Sequence, residues 1–213
     1  MKKYNIFALL MLLIAPLCFM ACSENEDTVE EFPDWKNRNE AYFDNIYEKA
    51  MSIEDGSWKI IRNYSLEDTI PAGYADHIVV EVLEEGTGSG CPMFTDSVLV
   101  HYRGRLLPST SYSEGYVFDE SYEGEFNPQT ALPRQLYVGG LIDRYGFTTA
   151  LQYMHIGDRW RVYIPYQLGY GSTGSTGIPA YSTLVFDIAL VAYYRPGVTP
   201  DPWYAKKGKR ITE

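Results

Sequence analysis

Three histidines, three cysteines and one glycine-rich loop are where this 213-residue chain most readily carries chemistry. His101 falls inside a strand-like pattern, His77 opens another and His155 closes a helical run, a spread unlike the close register of a zinc set. Cys91 precedes Pro92 in a loop and has no sequence neighbour that would lower its pKa, which makes it a poor nucleophile. No serine stands in a nucleophile-elbow context. Gly169-Tyr170-Gly171-Ser172-Thr173-Gly174 has the outline G-x-G-x-x-G, but a phosphate cradle needs that loop to open a helix. Here Ser175-Thr176-Gly177-Ile178-Pro179 follows, and no lysine is near. The expectation is non-covalent chemistry without metal or cofactor, in a pocket of aromatic rings carrying one or two carboxylates.

Such a pocket needs walls. In Asp158–Leu190, Trp160, Val162 and Ile164 alternate with Arg159, Arg161 and Tyr163, the period of a half-buried strand. Pro165 ends it, because proline cannot donate to a ladder. A loop with Gly169, Gly171, Gly174 and Gly177 follows, and Thr183–Leu190 reads as a second apolar strand. Two strands framing a tyrosine- and glycine-rich loop suggest the wall and rim of an apolar pocket.

Upstream, Trp58–Tyr64, His77–Leu83, Ser97–Leu107, Val117–Asp119 and Gln135–Val138 also read as strands, separated by Gly- and Pro-rich turns. In Ser97–Leu107, Val98, Val100 and Tyr102 share a face opposite Leu99, His101 and Arg103. One short helix runs from Tyr145 or Phe147 to Met154, with Gly157 placed to take a left-handed turn. A longer amphipathic helix spans 34–51, with Trp35, Tyr42, Phe43, Ile46, Tyr47 and Ala50 on its apolar face. Asn39, Glu40, Asp44 and Glu48 fall largely opposite, Asp34 stands as N-cap, and the helix is expected to pack on the main domain, with self-association as the other reading. Many strands with one short helix late in the order imply an α+β domain.

The N-terminus has another purpose. Lys2 and Lys3 precede an apolar run, Phe7–Leu17, too short to span a bilayer. Ala21-Cys22 then resembles the end of a bacterial lipoprotein signal, which would make Cys22 the lipidated first residue of the mature chain. An ordinary secretory signal with an incidental cysteine is the other reading. Residues 22–33 form an acidic tether. With Cys18 removed and Cys22 acylated, Cys91 has no intrachain partner, so packing must hold the core. A net charge of −10, with its one basic run, Lys206–Arg210, in a tail, argues against nucleic acid as a partner.

Val100-His101-Tyr102-Arg103-Gly104 resembles the V-H-Y-x-G strand of FKBP-type peptidyl-prolyl cis–trans isomerases. Phe118-Asp119-Glu120-Ser121 is similar to that family's F-D-S-S, and Ala150–Gly157 to its A-L-x-x-M-x-x-G helix end. Ile164–Gly171 matches I-P-x-x-L-A-Y-G, and Ile178–Asp187 matches I-P-x-x-S-T-L-V-F-D. The motifs keep the family's order and cover residues 76–194.

The resemblance implies an FKBP-like, twisted antiparallel β-sheet wrapped around one short α-helix, with residues 34–75 as a helical and strand extension and 195–213 as a tail. It implies isomerisation of X–Pro bonds in proline-containing polypeptides, with Asp119, Tyr102 and Tyr170 as the catalytic set. Phe118, Phe147, Phe186, Ile178 and Ile142 would bind substrate, Phe147 standing where the family has a tryptophan. Arg134 replaces an apolar aromatic of the family, and Asp143-Arg144 falls on its Val-Ile pair. These departures leave a non-catalytic binding module on the same fold as the alternative. With the signal, the expected place is the envelope of a Gram-negative bacterium, lipid-anchored to the outer membrane and facing either side.

Overall fold

The computed structural model describes residues 30–141 and 145–198. Cys22, Ile142, Asp143, Arg144 and the basic tail run therefore lie outside the described residues. Alternation of apolar and polar side chains draws seven strands into one antiparallel sheet. They are β1 (Trp58–Arg62), β2 (His77–Glu84), β3 (Ser97–Arg105), β4 (Val117–Glu120), β5 (Arg134–Tyr137), β6 (Arg159–Ile164) and β7 (Leu184–Tyr194). Their order is β1-β2-β6-β7-β3-β4. The same edge of β3 is shared by two short strands, β4 along Arg103–Arg105 and β5 along Ser97–Val100. Within residues 34–75, the strand β1 pairs along β2 and so joins the sheet.

The short helix α2 (Tyr145–Tyr153) lies on the face carrying Tyr102, Phe186 and Val162, and contacts β2 and β6. Its own Ala150 and Leu151, with Met154 just past its end, are fully buried. Gly146 allows that approach, because a Cβ there would stand 2.3 Å from Ile164 Cγ2.

The long helix α1 (Trp35–Met51) packs on the opposite face through Tyr42, whose ring lies 6.2 Å from that of Tyr163. Tyr163 in turn stacks on Trp58 at 5.8 Å. Two expectations for this helix need correction. Asp34 is left-handed at φ 48° and caps nothing with its side chain; its carboxylate accepts from Asn37 Nδ2 at 2.6 Å instead. Asn39 is fully buried rather than solvated. Its Nδ2 donates to the Trp35 carbonyl at 2.7 Å, and its Oδ1 accepts the Thr183 N–H at 2.7 Å. Trp35 Nε1 donates to Ser182 Oγ at 2.9 Å. A buried backbone N–H must find an acceptor, and the segment that leads into β7 finds it in α1. Asn39→Ala therefore orphans the Thr183 N–H and is expected to cost about 1–3 kcal/mol of stability, read as a lowered urea midpoint at unchanged slope.

On the α1 side of β3, His101 is only 2% exposed, with its ring 5.2 Å from that of Phe126. Burial pushes its pKa below the usual imidazole value. The unfolded chain takes up this proton from about pH 6.5 downward, whereas the folded chain resists it. Stability is therefore lost as pH falls below about 6.5. Urea midpoints at pH 7 and pH 5 should differ less for His101→Gln than for the wild type.

Candidate active site

The register of β3 assembles the polar part of the site. Gly104 pairs with Asp119 in β4 and Val100 pairs with Arg134 in β5. Tyr102 stands between them, and a period of two puts all three rows on one face of the sheet. Tyr102 Oη donates to Asp119 Oδ2 at 2.8 Å and accepts from Arg134 Nη1 at 2.6 Å. Arg134 Nη1 also reaches Asp119 Oδ1 at 3.2 Å. Burial, followed by the bond to Asp119, pushes the Tyr102 phenol well above its usual pKa, so it remains a protonated donor at neutral pH. Ser121 secures the strand beneath, its Oγ accepting the Tyr102 N–H at 2.9 Å and its own N–H bonding the Tyr102 carbonyl at 2.9 Å.

The apolar part is a cluster of rings. Phe147, from the first turns of α2, meets Phe186 at 4.9 Å and 72°, and Tyr102 at 5.7 Å and 79°. Phe186 meets Phe118 edge-on at 5.4 Å and 87°. Edge-to-face contact is the favoured geometry for aromatic pairs. Gly104 makes this cluster fit, because a Cβ there would stand 2.4 Å from the Phe186 ring and 2.7 Å from the Phe118 ring.

These rings, with Tyr170 beyond β6 and Leu136 and Leu141 opposite, enclose a pocket of about 170 Å³. That volume suits a small apolar ring. Asp119, Tyr102, Tyr170, Phe118, Phe147 and Phe186 are thus brought together. Ile178 is not. The flap, residues 171–180, closes on itself through paired backbone bonds of 2.9 Å between Ser175 and Ile178. Ile178 is buried there and borders a separate groove with Phe32 and Tyr116. Ile142 lies outside the described residues, and its neighbour Leu141 supplies an apolar side to the pocket. Arg134 is a pocket residue that the sequence presents only as a departure. Its partners are set by two strand registers that no local pattern reveals. Among the described residues, no group of His, Cys, Asp and Glu is placed to hold a metal ion.

A sheet wrapped on one face around a short helix, with an aromatic pocket beside the helix start, defines the FKBP-like class of fold. The family profile for FKBP-type peptidyl-prolyl cis-trans isomerases matches residues 89–191. A macrophage infectivity potentiator of Trypanosoma cruzi is 33% identical over 193 residues, covering 90% of this chain and 86% of that protein. The 22 kDa FKBP-type peptidyl-prolyl cis-trans isomerase of Escherichia coli is 38% identical over 52% of this chain, which spans 47% of that protein. Among solved structures, a peptidyl-prolyl cis-trans isomerase of Pseudomonas syringae aligns with TM-score 0.52 and 26% identity, covering 75% of this chain and 96% of that one. FkpA from Escherichia coli aligns with TM-score 0.52 and 27% identity, covering 92% and 74%. The chain belongs to the FKBP-type peptidyl-prolyl cis-trans isomerase family.

Proposed function

We propose that the chain accelerates cis–trans isomerisation of X–Pro bonds in exported polypeptides, as a lipid-anchored folding enzyme of a bacterial cell envelope. The observation that carries the reaction is the 170 Å³ aromatic pocket with the Tyr102–Asp119–Arg134 network at its mouth. An X–Pro bond rotates against a barrier of about 18–20 kcal/mol, because the twisted amide loses its resonance. The planar amide is the more polar form, so a dry aromatic site raises it relative to the twisted one. Catalysis is then differential binding, with no covalent step.

In this reading Phe147, Phe118 and Phe186 hold the pyrrolidine ring and exclude water. Tyr170 donates a hydrogen bond to a substrate carbonyl. Asp119, held by Tyr102 and Arg134, presents a fixed dipole to the rotating amide, and a preorganised dipole need not reorient as the bond turns. Arg134 motivates a non-catalytic module only as a lost aromatic; as the second partner of Tyr102 it supports the catalytic reading. Uncatalysed isomerisation takes tens of seconds, long enough for exported chains to benefit. Anchoring through Cys22 rests on the signal sequence, and labelling with a radioactive fatty acid that is lost in Cys22→Ala tests it. The reaction is tested with a proline-containing peptide and the residues from Glu31 onward: acceleration is expected, and its absence in folded protein would overturn the assignment.

A further inference from the structure

The face of the sheet turned away from the proline pocket carries a cavity of its own, of about 380 Å³. Strand register makes it. Ala189 in β7 pairs with Arg159 in β6 on one side and with His101 in β3 on the other. Residues level with one another across a sheet point the same way, so a single methyl group stands between two long side chains and forms a floor. Phe126 and Pro128, from the loop between β4 and β5, line the cavity as well. The Phe126 ring lies 5.2 Å from that of His101 and 5.0 Å from the Arg159 guanidinium carbon. Ile156, in the turn before β6, adds an apolar side. His101 and Tyr102 are successive in β3 and face opposite sides, so the sheet separates this cavity from the Tyr102–Asp119–Arg134 network.

Its charged lining decides what it can hold. Burial holds the His101 imidazole below its usual pKa, which leaves Glu84, Asp158 and Arg159 as the charged groups facing the space. Asp158 is 3% exposed and already engaged: Oδ1 accepts the Gly86 N–H and Oδ2 the His155 N–H, each at 2.7 Å. Arg159 Nη1 donates to Glu84 Oε1 at 3.1 Å, and the Glu84 side chain is 62% exposed. An ion pair so open to water contributes little. A guanidinium presents five N–H donors in a fork that fits a planar or tetrahedral anion, so a ligand anion can take Arg159 from Glu84 at small cost. A concave site of about 300–1,000 Å³, with mainly apolar walls and a few placed polar groups, is the form of a small-molecule site. We infer that this outer-face cavity binds a small molecule with a flat apolar body and one anionic group, a carboxylate or sulfonate. The body lies on Ala189 between Phe126 and Ile156, and the anion on Arg159. Nothing in this depends on the isomerase reading.

The test is a fluorescence titration with two probes, 8-anilinonaphthalene-1-sulfonate and its uncharged parent, N-phenyl-1-naphthylamine. The wild type should bind both saturably at one site, and excess proline tetrapeptide should displace neither. Ala189→Leu fills the floor and should weaken both probes about tenfold or more (a tenfold loss is about 1.4 kcal/mol). Arg159→Gln should weaken the sulfonate about tenfold and leave the uncharged probe within about twofold. Urea midpoints near the wild-type value show that the variants fold. Should Ala189→Leu fail to fold, Ile156→Ser replaces it, at a side chain already 36% exposed, with the same expected loss of both probes. Sulfonate binding that survives both variants is adventitious and overturns the site. Displacement by the tetrapeptide overturns it too, because the probe would then occupy the proline pocket. Equal effects of Arg159→Gln on the two probes overturn the anionic class of ligand. A tetrapeptide that is bound but not isomerised would sink the isomerase reading and leave this site standing.

Discussion

Asp119→Ala is expected to lower kcat/KM on a proline peptide by about 10–100-fold while leaving the fold intact. The carboxylate receives both Tyr102 Oη and Arg134 Nη1. Its removal takes the fixed dipole from the rotating amide, and a loss of about 10–100-fold in rate corresponds to about 1.4–2.7 kcal/mol of transition-state stabilisation. Stability should move far less, because the Asp119 and Arg134 side chains are about half exposed, at 51% and 53%, and exposed ion pairs contribute about 0–1 kcal/mol. Asp119→Asn keeps an acceptor for Tyr102 and loses the charge, so it should fall between alanine and wild type. Arg134→Leu leaves the Tyr102–Asp119 bond in place and restores an apolar residue, so its loss should be smaller than that of Asp119→Ala. The measurements are kcat/KM and a urea midpoint on each variant. An Asp119→Ala enzyme with wild-type kcat/KM would mean that the carboxylate is not at the reacting amide.

The network is instructive about what a sequence shows. Alternation in Val98–Arg103 and in Arg159–Ile164 sorts those side chains to the faces they occupy, because a half-buried strand must alternate. Gly104 is legible as part of a motif, yet its reason, two rings where a Cβ would sit, appears only once Phe118 and Phe186 are paired across β3. Asn39 misleads because polarity on a helix predicts solvent only when no buried donor needs it; the Thr183 N–H, 144 residues away, does. Arg134 misleads similarly. As a single residue it reads as the loss of an aromatic, and only the two short strands on one β3 edge turn it toward Tyr102. Local period carries the strands and the rings. Long-range register carries the polar chemistry.

The glycine-rich loop shows the same division. Its G-x-G-x-x-G outline leads into β7 without opening a helix, and Gly171, Gly174 and Gly177 take positive φ to fold the flap into a tight hairpin. That hairpin buries Ile178 at the border of a second groove. Its base, Ser182 and Thr183, is bonded to α1 through Trp35 and Asn39. The N-terminal helix thus anchors the base of the flap beside that second groove.

Phe147→Ala should have the largest effect on the molecule as a whole. The ring is 4% exposed, lines the pocket and meets both Phe186 and Tyr102 edge-on. Truncating a buried phenylalanine costs about 3–5 kcal/mol, a third or more of the stability of a typical domain. The alanine variant should consequently melt well below wild type and lose activity, an outcome that cannot by itself separate packing from chemistry. Phe147→Leu makes that separation. It keeps most of the volume, costing about 1–2 kcal/mol, but loses two edge-to-face contacts worth about 0.5–1.5 kcal/mol each. A folded leucine variant should retain about a tenth of wild-type kcat/KM. Phe147→Trp restores the residue of the family's pocket floor beneath an open space of about 170 Å³, so it should fold and stay active. Its indole fluorescence should respond to a proline peptide, measured against the parent, in which the described tryptophans Trp35, Trp58 and Trp160 lie outside the pocket. If the folded leucine variant turns over peptide as fast as wild type, Phe147 contributes packing alone, and the reacting amide must sit against other rings.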